Sequence, residues 1–421
     1  MNVDRDRLRA DIETNAEFGA IDADVGGGRT VLTGTEANRR AREYFVDRLE
    51  DAGLDVRIDS VGNIVGRWTP EGADPNGAPV AAGSHLDSVP EGGIFDGPLG
   101  VYAALESVRA MQEAGIKPER PIEVVSFTEE EGQQFAGGLL GSSVAVGDRS
   151  VEEALALEND TGTTLEAALD SIGFRGDGKL DASAWDAWLE LHVEQSDRLE
   201  TAGVPVGVVT TVTGITHCEV TIQGEADHAG STPMGDRTDT LAAASEFVLD
   251  LEAAATDIVT ERSSTAVGTV GRLNVAPNAT NVVAGRATLG VDVRDIDYEV
   301  MNTLVEVARA SLDRLERERG VTTDFERPFD LEPTPMSDRV RRAAHDAGET
   351  AGVATMDLHS GAAHDTQRVA EVTDAGLLFA PSLNGISHNP REWTDWEDCA
   401  ATTQVLAGAL TTLARGRSPA S

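Results

Sequence analysis

The segment VAAGSHLDSVPEGGIFDGPLGVYAALESVRAMQE, residues 80–113, indicates the class of fold. It begins with the short apolar run 80–84, which is typical of a buried strand. A glycine-rich loop follows, and a helix-like stretch runs from about Leu99 to Glu113. Another compact apolar strand, PIEVVSF, comes next at 121–127. Because strand, helix and strand alternate, the segment predicts an α/β layer structure.

The same rhythm extends on both sides of this segment. A helix is expected from Thr35 to just before Gly53, followed by a strand at 54–59. Helical pieces over 148–186 lead to the strand WDAWLELHV, and after Pro335 a helix, the strand AGLLFAPS and a C-terminal helix from Trp396 follow. We therefore assign residues 1–212 and 329–421 to one discontinuous α/β domain.

Residues 213–328 have a different order of elements. Strands are expected at 215–224, 265–275, 285–295 and 321–327, with helices at 236–257 and 298–320. This order, β-α-β-β-α-β, is the ferredoxin-like pattern. It predicts a separate domain inserted into the first.

Composition limits the possible partners. The chain has 421 residues and 40% hydrophobic content, enough for a folded core, with 73 acidic and 34 basic residues and a net charge of −39. Such a charge disfavours nucleic acid and anionic membrane surfaces as partners. It also indicates a salt-adapted protein, since salt at 1 M screens charges within about 3 Å; ordinary acidity is the alternative.

Other features predict a cytoplasmic location. The N-terminal stretch is polar, and no segment approaches the roughly 20 consecutive apolar residues of a membrane span. The only two cysteines, Cys218 and Cys399, are far apart in the sequence and lie in apolar surroundings. We expect both to be free thiols in a reducing compartment.

Four of the expected strands end in side chains that can bind a metal ion. In open α/β sheets the ligand crevice lies beyond the carboxyl ends of the strands, so such side chains can converge there. Asp96 follows the first of them across the glycine-rich loop. The strand-end candidates are His85, the run Glu129, Glu130 and Glu131, His192, and His388.

Imidazole and carboxylate ligands are typical of paired divalent cations, and a shared carboxylate suits ions about 3.5–4 Å apart. We expect one ion on His85 and His192 and a second on Glu131 and His388, with Asp96 bridging them. Zinc is the expected metal, and manganese, cobalt or nickel would suit the same ligands.

The carboxylates of Asp87 and Glu130 have predicted roles beside the two ions. Asp87 is expected to accept a hydrogen bond that selects the tautomer of a ligand imidazole. Glu130, adjacent to a ligand, is expected to be the general base. Taken singly, the H-x-D loop could be a capped turn, the glutamates a solvated run and His192 a structural residue. Their joint occurrence at strand ends favours the metal site.

Six motifs resemble the M20 metallopeptidase clan, and in particular its branch of N-carbamoyl-L-amino acid hydrolases, β-alanine synthases and allantoate amidohydrolases. The resemblance implies a two-metal catalytic domain, with the same five ligands and base, that carries a smaller lid and dimerisation domain. The chain would then be a homodimer through 213–328. The motifs are GSHLDSVPEGGIFDGPLGV, SFTEEEGQQF, LHVEQ, HAGSTPM, SGAAHD and GISHNPREWT.

The resemblance also implies substrate-binding residues that the sequence alone would not single out. Without the resemblance, we would interpret Arg294 as a surface partner of Asp292 or Asp295, and the other implied residues as ordinary polar residues. The chain departs from the family's common residues at Gln134, Ser196 and Ala363, which leaves substrate preference open. The implied substrate-binding residues are Gln195, His228, Asn281, Arg294 and His364.

The activity implied by the resemblance is hydrolysis of N-carbamoyl-L-amino acids, which are ureido acids, to amino acid, CO2 and ammonia. Hydrolysis of allantoate or ureidoglycolate is one alternative, and hydrolysis of N-acyl amino acids or dipeptides is another. A non-catalytic binding or scaffolding protein is the alternative from a different class. The presence of Glu130 beside a complete ligand set argues against that class, because a binding protein has no use for a general base.

Overall fold

A computed structural model describes residues 1–23, 26–135 and 137–415. The chain divides into two compact units, which we treat separately. The first contains residues 1–210 and the chain from Pro335 onward, and the second contains residues 211–334. The segment 213–328, which the sequence predicts as an insertion, lies within the second unit.

The first part of the chain contains both helices and strands. Its helices are α1 (Arg5–Ala16), α2 (Glu36–Asp51), α3 (Pro98–Glu113), α4 (Leu140–Val146), α5 (Val151–Leu155), α6 (Leu165–Ile172) and α7 (Arg198–Ala202). Its strands are β1 (Ala20–Ile21), β2 (Gly28–Arg29), β3 (Asp55–Ile58), β4 (Ile64–Trp68), β5 (Val80–His85), β6 (Ile122–Phe127), β7 (Ala187–Val193) and β8 (Val206–Val212).

The remaining elements follow in chain order. The second unit contains β9 (Gly214–Gln223), β10 (Asp227–His228), α8 (Thr240–Glu261), β11 (Val267–Ala276), β12 (Val282–Val283), β13 (Arg286–Asp295), α9 (Tyr298–Arg319) and β14 (Thr322–Leu331). After it come β15 (Thr334–Pro335), α10 (Asp338–Ala351), β16 (Thr355–Ser360), α11 (Asp365–Val369), β17 (Ala375–Ala380) and α12 (Trp396–Leu413). Short 3-10 turns occur at Ala182–Ala184, Met234–Asp236 and Leu383–Gly385.

Helix α2 shows how the sequence sets an element. The hydroxyl of Thr35 accepts the backbone N–H of Asn38 at 3.3 Å and so caps the first turn. Phe45 and Leu49, four residues apart on one face, are fully buried. Gly53, with a φ of 74°, ends the helix in the left-handed region as the sequence predicts.

A mixed sheet forms the centre of the first unit. Within the described residues it has nine strands in the order β15-β8-β17-β7-β5-β6-β4-β3, with β16 paired to β8. The strands β17, β7, β5 and β6 are parallel neighbours, whereas β4 and β3 are antiparallel additions. The parallel strands therefore bring their carboxyl ends to one edge.

Both faces of this sheet are covered, so its central strands are apolar throughout. One face, which includes Ala82, Val124 and Leu189, packs in one core with residues of α1, α2, α3, α10 and α12. The alternate residues Ala81 and Val125 face the other core, which includes residues of α4, α11 and the segment 180–185. The α/β layer structure expected from the sequence is confirmed.

The second unit has the predicted β-α-β-β-α-β order. As described, its four-stranded antiparallel sheet has the order β11-β13-β9-β14, and side chains of α8 and α9 pack with it in one core. Strands β10 and β12 form a separate antiparallel pair. Cys218 and Cys399 are both free and buried. Among the described residues, no helix is sufficiently long and apolar to cross a membrane.

Candidate metal centre

The predicted ligands meet at the carboxyl ends of the parallel strands. His85 is the last residue of β5, and His192 lies near the end of its parallel neighbour β7. Glu130 and Glu131 follow β6, and His388 lies in the loop after β17. The structure thus brings together side chains from four separate segments.

Asp96 is at the centre of this group. Its Oδ1 lies 3.5 Å from Nε2 of His85 and 3.2 Å from Nε2 of His192. Its Oδ2 lies 3.5 Å from Nε2 of His388, which is itself 3.5 Å from Oε2 of Glu131. Each carboxylate oxygen of Asp96 therefore faces a different pair of candidate ligands, which is the arrangement that a bridging carboxylate needs.

The donors are also oriented as metal ligands. Nδ1 of His85 lies 3.1 Å from the carbonyl oxygen of Asp87, and Nδ1 of His192 lies 3.0 Å from that of Val193. Because a carbonyl oxygen only accepts, these contacts keep a proton on Nδ1 and turn Nε2, the atom that would bind a metal, toward Asp96. Nε2 of His85 is buried and has no hydrogen-bond partner among the described residues.

Three sets of ligand atoms lie close enough to hold an ion. Within each set, every ligand atom is within 4.8 Å of the others. A set that contains Glu130 overlaps the two predicted ones. The residues present therefore fit a divalent cation. The sets are His85, Asp96 and His192; Asp96, Glu131 and His388; and His85, Glu130 and Glu131.

Electrostatics in the cluster favour added positive charge. Burial, together with the negative charge of Asp96, raises the pKa of Glu131 to about 8. Burial also raises the pKa of Glu130 well above its usual value, although the neighbouring His85 opposes this. Burial lowers the pKa of His192, but Asp96 outweighs it and raises that pKa to about 9. A divalent cation would relieve the same crowding of carboxylates that protons relieve here.

The structure assigns Asp87 a different contact from the one predicted. The carbonyl group of Asp87, rather than its carboxylate, is the closer partner of His85, because the carboxylate Oδ1 is 3.7 Å from Nδ1. The carboxylate accepts the backbone N–H groups of Glu130 and Glu131 at 3.3 and 3.1 Å. Asp87 therefore connects the loop after β5 to the loop after β6.

The three glutamates after β6 are not a solvated run. Glu129 has a φ of 58°, a left-handed conformation that is uncommon outside glycine, and its carboxylate accepts the N–H groups of Gln134 and Phe135. The side chains of Glu130 and Glu131 are only 11% and 6% exposed. The strained turn at Glu129 precedes the two residues that reach the cluster.

Two predicted substrate-binding residues of the first unit lie against the cluster. The Gln195 amide donates to Oδ2 of Asp96 at 3.1 Å, so in this structure it holds the bridging carboxylate. His364 is buried, with its ring centroid 4.6 Å from that of His192. Burial, and then the charge of His192, lowers the pKa of His364 well below its usual value. A neutral imidazole is therefore expected there.

His228 and Asn281 are neighbours in the second unit. His228 pairs with Val282 between β10 and β12, and the carbonyl group of Asn281 accepts the N–H of Ala229. Both residues are exposed. Nδ1 of His228 accepts the backbone N–H groups of Gly230 and Ser231 at 3.0 and 3.1 Å. Because Nδ1 is an acceptor, the neutral ring carries its proton on Nε2.

Arg294 lies at the far end of β13 from this pair. It is eight residues from Arg286, the start of β13, which follows β12 closely in the chain; eight residues of strand span about 26 Å at roughly 3.3 Å per residue. Its guanidinium forms a two-point contact with Asp292, at 2.9 and 3.0 Å. This is the surface pairing that the sequence indicates as its default.

Three residues that the sequence patterns do not single out support the cluster. Arg29 and Glu392 are buried charged side chains, and both contact the backbone of the loop that carries Asp96. The hydroxyl of Ser387 lies 2.9 Å from Oδ2 of Asp96. Glu392 and Ser387 fall inside the quoted motif GISHNPREWT, which is the signal that could have identified them. Arg29 follows a run of three glycines and carries no comparable signal.

Comparison with known proteins shows which enzymes this chain is similar to. An N-carbamoyl-L-amino acid amidohydrolase of Geobacillus stearothermophilus is 39% identical over 404 residues, which cover 95% of this chain and 97% of that protein. A ureidoglycolate hydrolase of Oryza sativa subsp. japonica is 33% identical, covering 98% of this chain and 85% of that protein.

A solved structure has a fold similar to that of this chain. It is an amidase of the hydantoinase/carbamoylase family from Burkholderia multivorans, with a TM-score of 0.91, 34% identity and 99% of both chains covered. Residues 81–412 match the profile of Peptidase family M20/M25/M40. The resemblance seen in the motifs is confirmed, and the chain belongs to Peptidase family M20/M25/M40.

Proposed function

We propose that the protein is a metal-dependent amidohydrolase that cleaves N-carbamoyl-L-amino acids to the free amino acid, CO2 and ammonia. The observation that carries the proposal is the buried cluster around Asp96, with Glu130 beside it. The relatives that match nearly the whole chain support the same activity. Glu130 is not needed as a ligand of either predicted ion, and a carboxylate in that position suits catalysis better than simple binding.

The proposed cofactor is a pair of divalent ions. His85 and His192 would hold one ion, Glu131 and His388 the other, and Asp96 would lie between them. When bound, the ions would supply Lewis acidity that activates water and polarises the carbonyl group of the substrate. Zinc suits this ligand set best, with manganese, cobalt and nickel as alternatives.

Glu130 moves the proton in the proposed reaction. Its Oε2 lies 3.7 Å from Nε2 of His85, at the edge of the cluster. It takes a proton from water as the water oxygen attacks the carbamoyl carbon. It then delivers that proton to the nitrogen of the amino acid as the bond between this nitrogen and the carbamoyl carbon breaks. The carbamic acid that leaves decomposes to CO2 and ammonia.

The second unit supplies the remaining contacts in this proposal. The Nε2–H of His228 is available to donate to the oxyanion that develops during attack, and Asn281 lies beside it. The planar guanidinium of Arg294 suits a substrate carboxylate, which would take the place of Asp292. Because Arg294 lies about 26 Å along β13 from the end near His228, one substrate would meet both residues only if they came from the lids of different subunits. Gln195 and His364 would contact substrate from the first unit.

The proposed lid is also the proposed dimerisation domain. Strand β11 is an edge of the four-stranded sheet, and an edge strand is a template for pairing with a second copy. Within the described residues, five of the eight large exposed hydrophobic side chains lie on β11 and the helix α8 that packs beside it. They are Leu241, Leu249, Val259, Val267 and Leu273. This apolar edge supports a homodimer.

Mixing inactive variants would test whether the lid acts on the partner's active site. We expect His228→Ala and Glu130→Gln homodimers each to be inactive and to regain up to about a quarter of wild-type activity after subunit exchange. The reason is that half of the exchanged dimers would contain one site with both an intact Glu130 and a partner's intact His228. Activity and dimer mass are measured before and after exchange. No recovery despite proven exchange would place His228 in its own subunit's site.

One alternative has specific support. The ureidoglycolate hydrolase from rice matches this chain almost end to end, so ureidoglycolate or allantoate is the second candidate substrate. The chain differs from the family's common residues at Gln134, Ser196 and Ala363. The side chain of Gln134 accepts a hydrogen bond from that of Asn159. These three positions are the first ones to exchange if the substrate differs from the one proposed.

A substrate panel tests the function directly. We expect ammonia and free amino acid from N-carbamoyl-L-amino acids after loading with zinc, manganese, cobalt or nickel, and little turnover of allantoate, ureidoglycolate, N-acyl amino acids or dipeptides. The Glu130→Gln variant is the blank for contaminating activity. Running the panel in low and high salt also tests the predicted salt adaptation, since the charge of −39 is screened more strongly at high salt. Preferred turnover of allantoate would replace the proposal with its alternative.

A further inference from the structure

The loop that joins His85 to Asp96 is held from one side by a buried arginine. We call residues 86–96 the ligand loop. Arg29 is fully buried. Its guanidinium donates to four backbone carbonyl groups of this loop, two at its start and two toward its end. These groups belong to Leu86 at 3.0 Å, Asp87 at 3.4 Å, Gly93 at 3.2 Å and Asp96 at 3.2 Å.

A buried glutamate holds the loop through its amide groups. Oε1 of Glu392 accepts the backbone N–H groups of Phe95 and Asp96, both at 3.0 Å. Its Oε2 lies 2.9 Å from the hydroxyl of Ser387, which is equally close to Oδ2 of Asp96. Ser387 directly precedes His388. Glu392 thus links the backbone of the bridging residue to the loop that carries a ligand of the second ion.

Gly93 leaves the space that Glu392 occupies. A Cβ atom at Gly93 would lie 2.2 Å from Oε1 of Glu392 and 2.6 Å from its Cβ, closer than atoms can approach. Gly93 has no left-handed φ, so the requirement is for space and not for an unusual backbone conformation. An alanine here would displace Glu392 without removing any charge.

The chemistry of these contacts is selective. A guanidinium has five donors and no acceptor, and a carboxylate has acceptors only. The ligand loop therefore offers its carbonyl groups to the cation and its amide groups to the anion. Buried ions are costly unless their hydrogen-bonding groups are satisfied, so both side chains favour a single conformation of the loop. That conformation sets the direction in which the two oxygens of Asp96 point.

We propose that Arg29 and Glu392 are positioning residues that hold the bridging carboxylate of Asp96 between two metal ions. The inference rests on the proposed function only in taking Asp96 as a bridging ligand. Neither residue touches the substrate in this proposal. Hydrogen-bonded supports of metal ligands typically change metal affinity or activity by about 10–100-fold when they are replaced.

The test is the metal affinity of the purified protein, with no substrate present. Metal-free wild type and the variants Arg29→Met, Glu392→Gln and Gly93→Ala are titrated with zinc against a competing chelator, and thermal unfolding of each metal-free protein is recorded. In Glu392→Gln an amide nitrogen, which only donates, replaces Oε2, the acceptor of the Ser387 hydroxyl. We expect two zinc ions per wild-type subunit and at least tenfold weaker binding of one or both ions in all three variants.

Matched controls separate positioning from general destabilisation. Glu106 is also a fully buried carboxylate that accepts a backbone N–H, that of Asp4, but it lies on α3 away from the cluster. A Cβ atom added at Gly408 would lie 2.8 Å from the Cβ of Ala347, so Gly408→Ala is the matching control for Gly93→Ala. We expect Glu106→Gln and Gly408→Ala to lower the unfolding temperature while zinc affinity stays within twofold of wild type.

Each outcome decides the inference. Equal losses of zinc affinity in the variants and their controls, or unchanged affinity in folded Glu392→Gln and Gly93→Ala, would overturn it. Wild type that binds no zinc or other divalent ion would overturn both this inference and the proposed function. Wild type that binds two ions but hydrolyses no ureido acid would overturn the function alone, and the affinity comparison would still decide the role of Arg29 and Glu392.

Discussion

Replacing Glu130 by glutamine is expected to lower kcat by about 10²–10⁴-fold while the metal content stays at its wild-type value. Glutamine keeps the shape of the side chain but cannot take a proton from water or return it to the leaving nitrogen. Glu130 is not one of the predicted ligands of either ion, although its Oε2 lies 3.7 Å from Nε2 of His85. The measurement combines elemental analysis of metal with kcat on an N-carbamoyl amino acid.

Glu129 provides the matched control within the same run of glutamates. Its carboxylate accepts the N–H groups of Gln134 and Phe135, a task that a glutamine carbonyl can also perform. We expect Glu129→Gln to retain activity within about tenfold, since no proton transfer is lost. Loss of metal from Glu130→Gln would make Glu130 a ligand, as one of the three ligand sets allows. Retention of more than a tenth of wild-type kcat would exclude it as the base.

Removing the side chain of Asp96 is expected to have the second large effect, a loss of both ions. Oδ1 of Asp96 faces His85 and His192, whereas Oδ2 faces His388, so Asp96→Ala removes one ligand from each predicted ion. Turnover should fall at least as far as in Glu130→Gln. Metal per subunit after dialysis, measured on protein shown to be folded by circular dichroism, checks the prediction.

His388→Ala is the comparison that isolates one ion. His388 contacts Oδ2 of Asp96 and Oε2 of Glu131, and its side chain is half exposed, so its removal should disturb the fold little. We expect this variant to keep close to one ion per subunit and Asp96→Ala to keep fewer. If Asp96→Ala retains two ions, Asp96 does not bridge them. Arg29 and Glu392 would then not be positioning residues for a bridging carboxylate.

Much of the fold could be predicted because the relevant signals are local. The apolar run before His85, the capping Thr35 and the helix stop at Gly53 each act within a few residues, and the structure has the expected elements there. The insertion could be predicted from the order of its elements. The five predicted ligands and Glu130 are brought to one edge because they follow parallel strands, whose ends must coincide.

The contacts that orient these residues could not be predicted in the same way. Asp87 was expected to act through its carboxylate, yet its carbonyl group is nearer His85. The resemblance implies that Gln195 lies near the substrate, and the structure adds a hydrogen bond from its amide to Asp96. In both cases the sequence names a polar residue near the site but contains no information on which of its atoms finds which partner.

By itself, the sequence determined the α/β order of elements, the inserted ferredoxin-like segment and the residue types that reach the metal cluster, because strand periodicity and chain order are local properties. Only the tertiary structure decided that Asp96 presents a different oxygen to each pair of ligands, and that Arg29 and Glu392 hold its loop. Glu392 is separated from Phe95 by 297 residues, so their hydrogen bond exists only once the whole first unit has folded. Buried charges satisfied by the backbone of a distant segment leave no pattern in the chain, since every residue has a backbone carbonyl group and every residue but proline a backbone N–H.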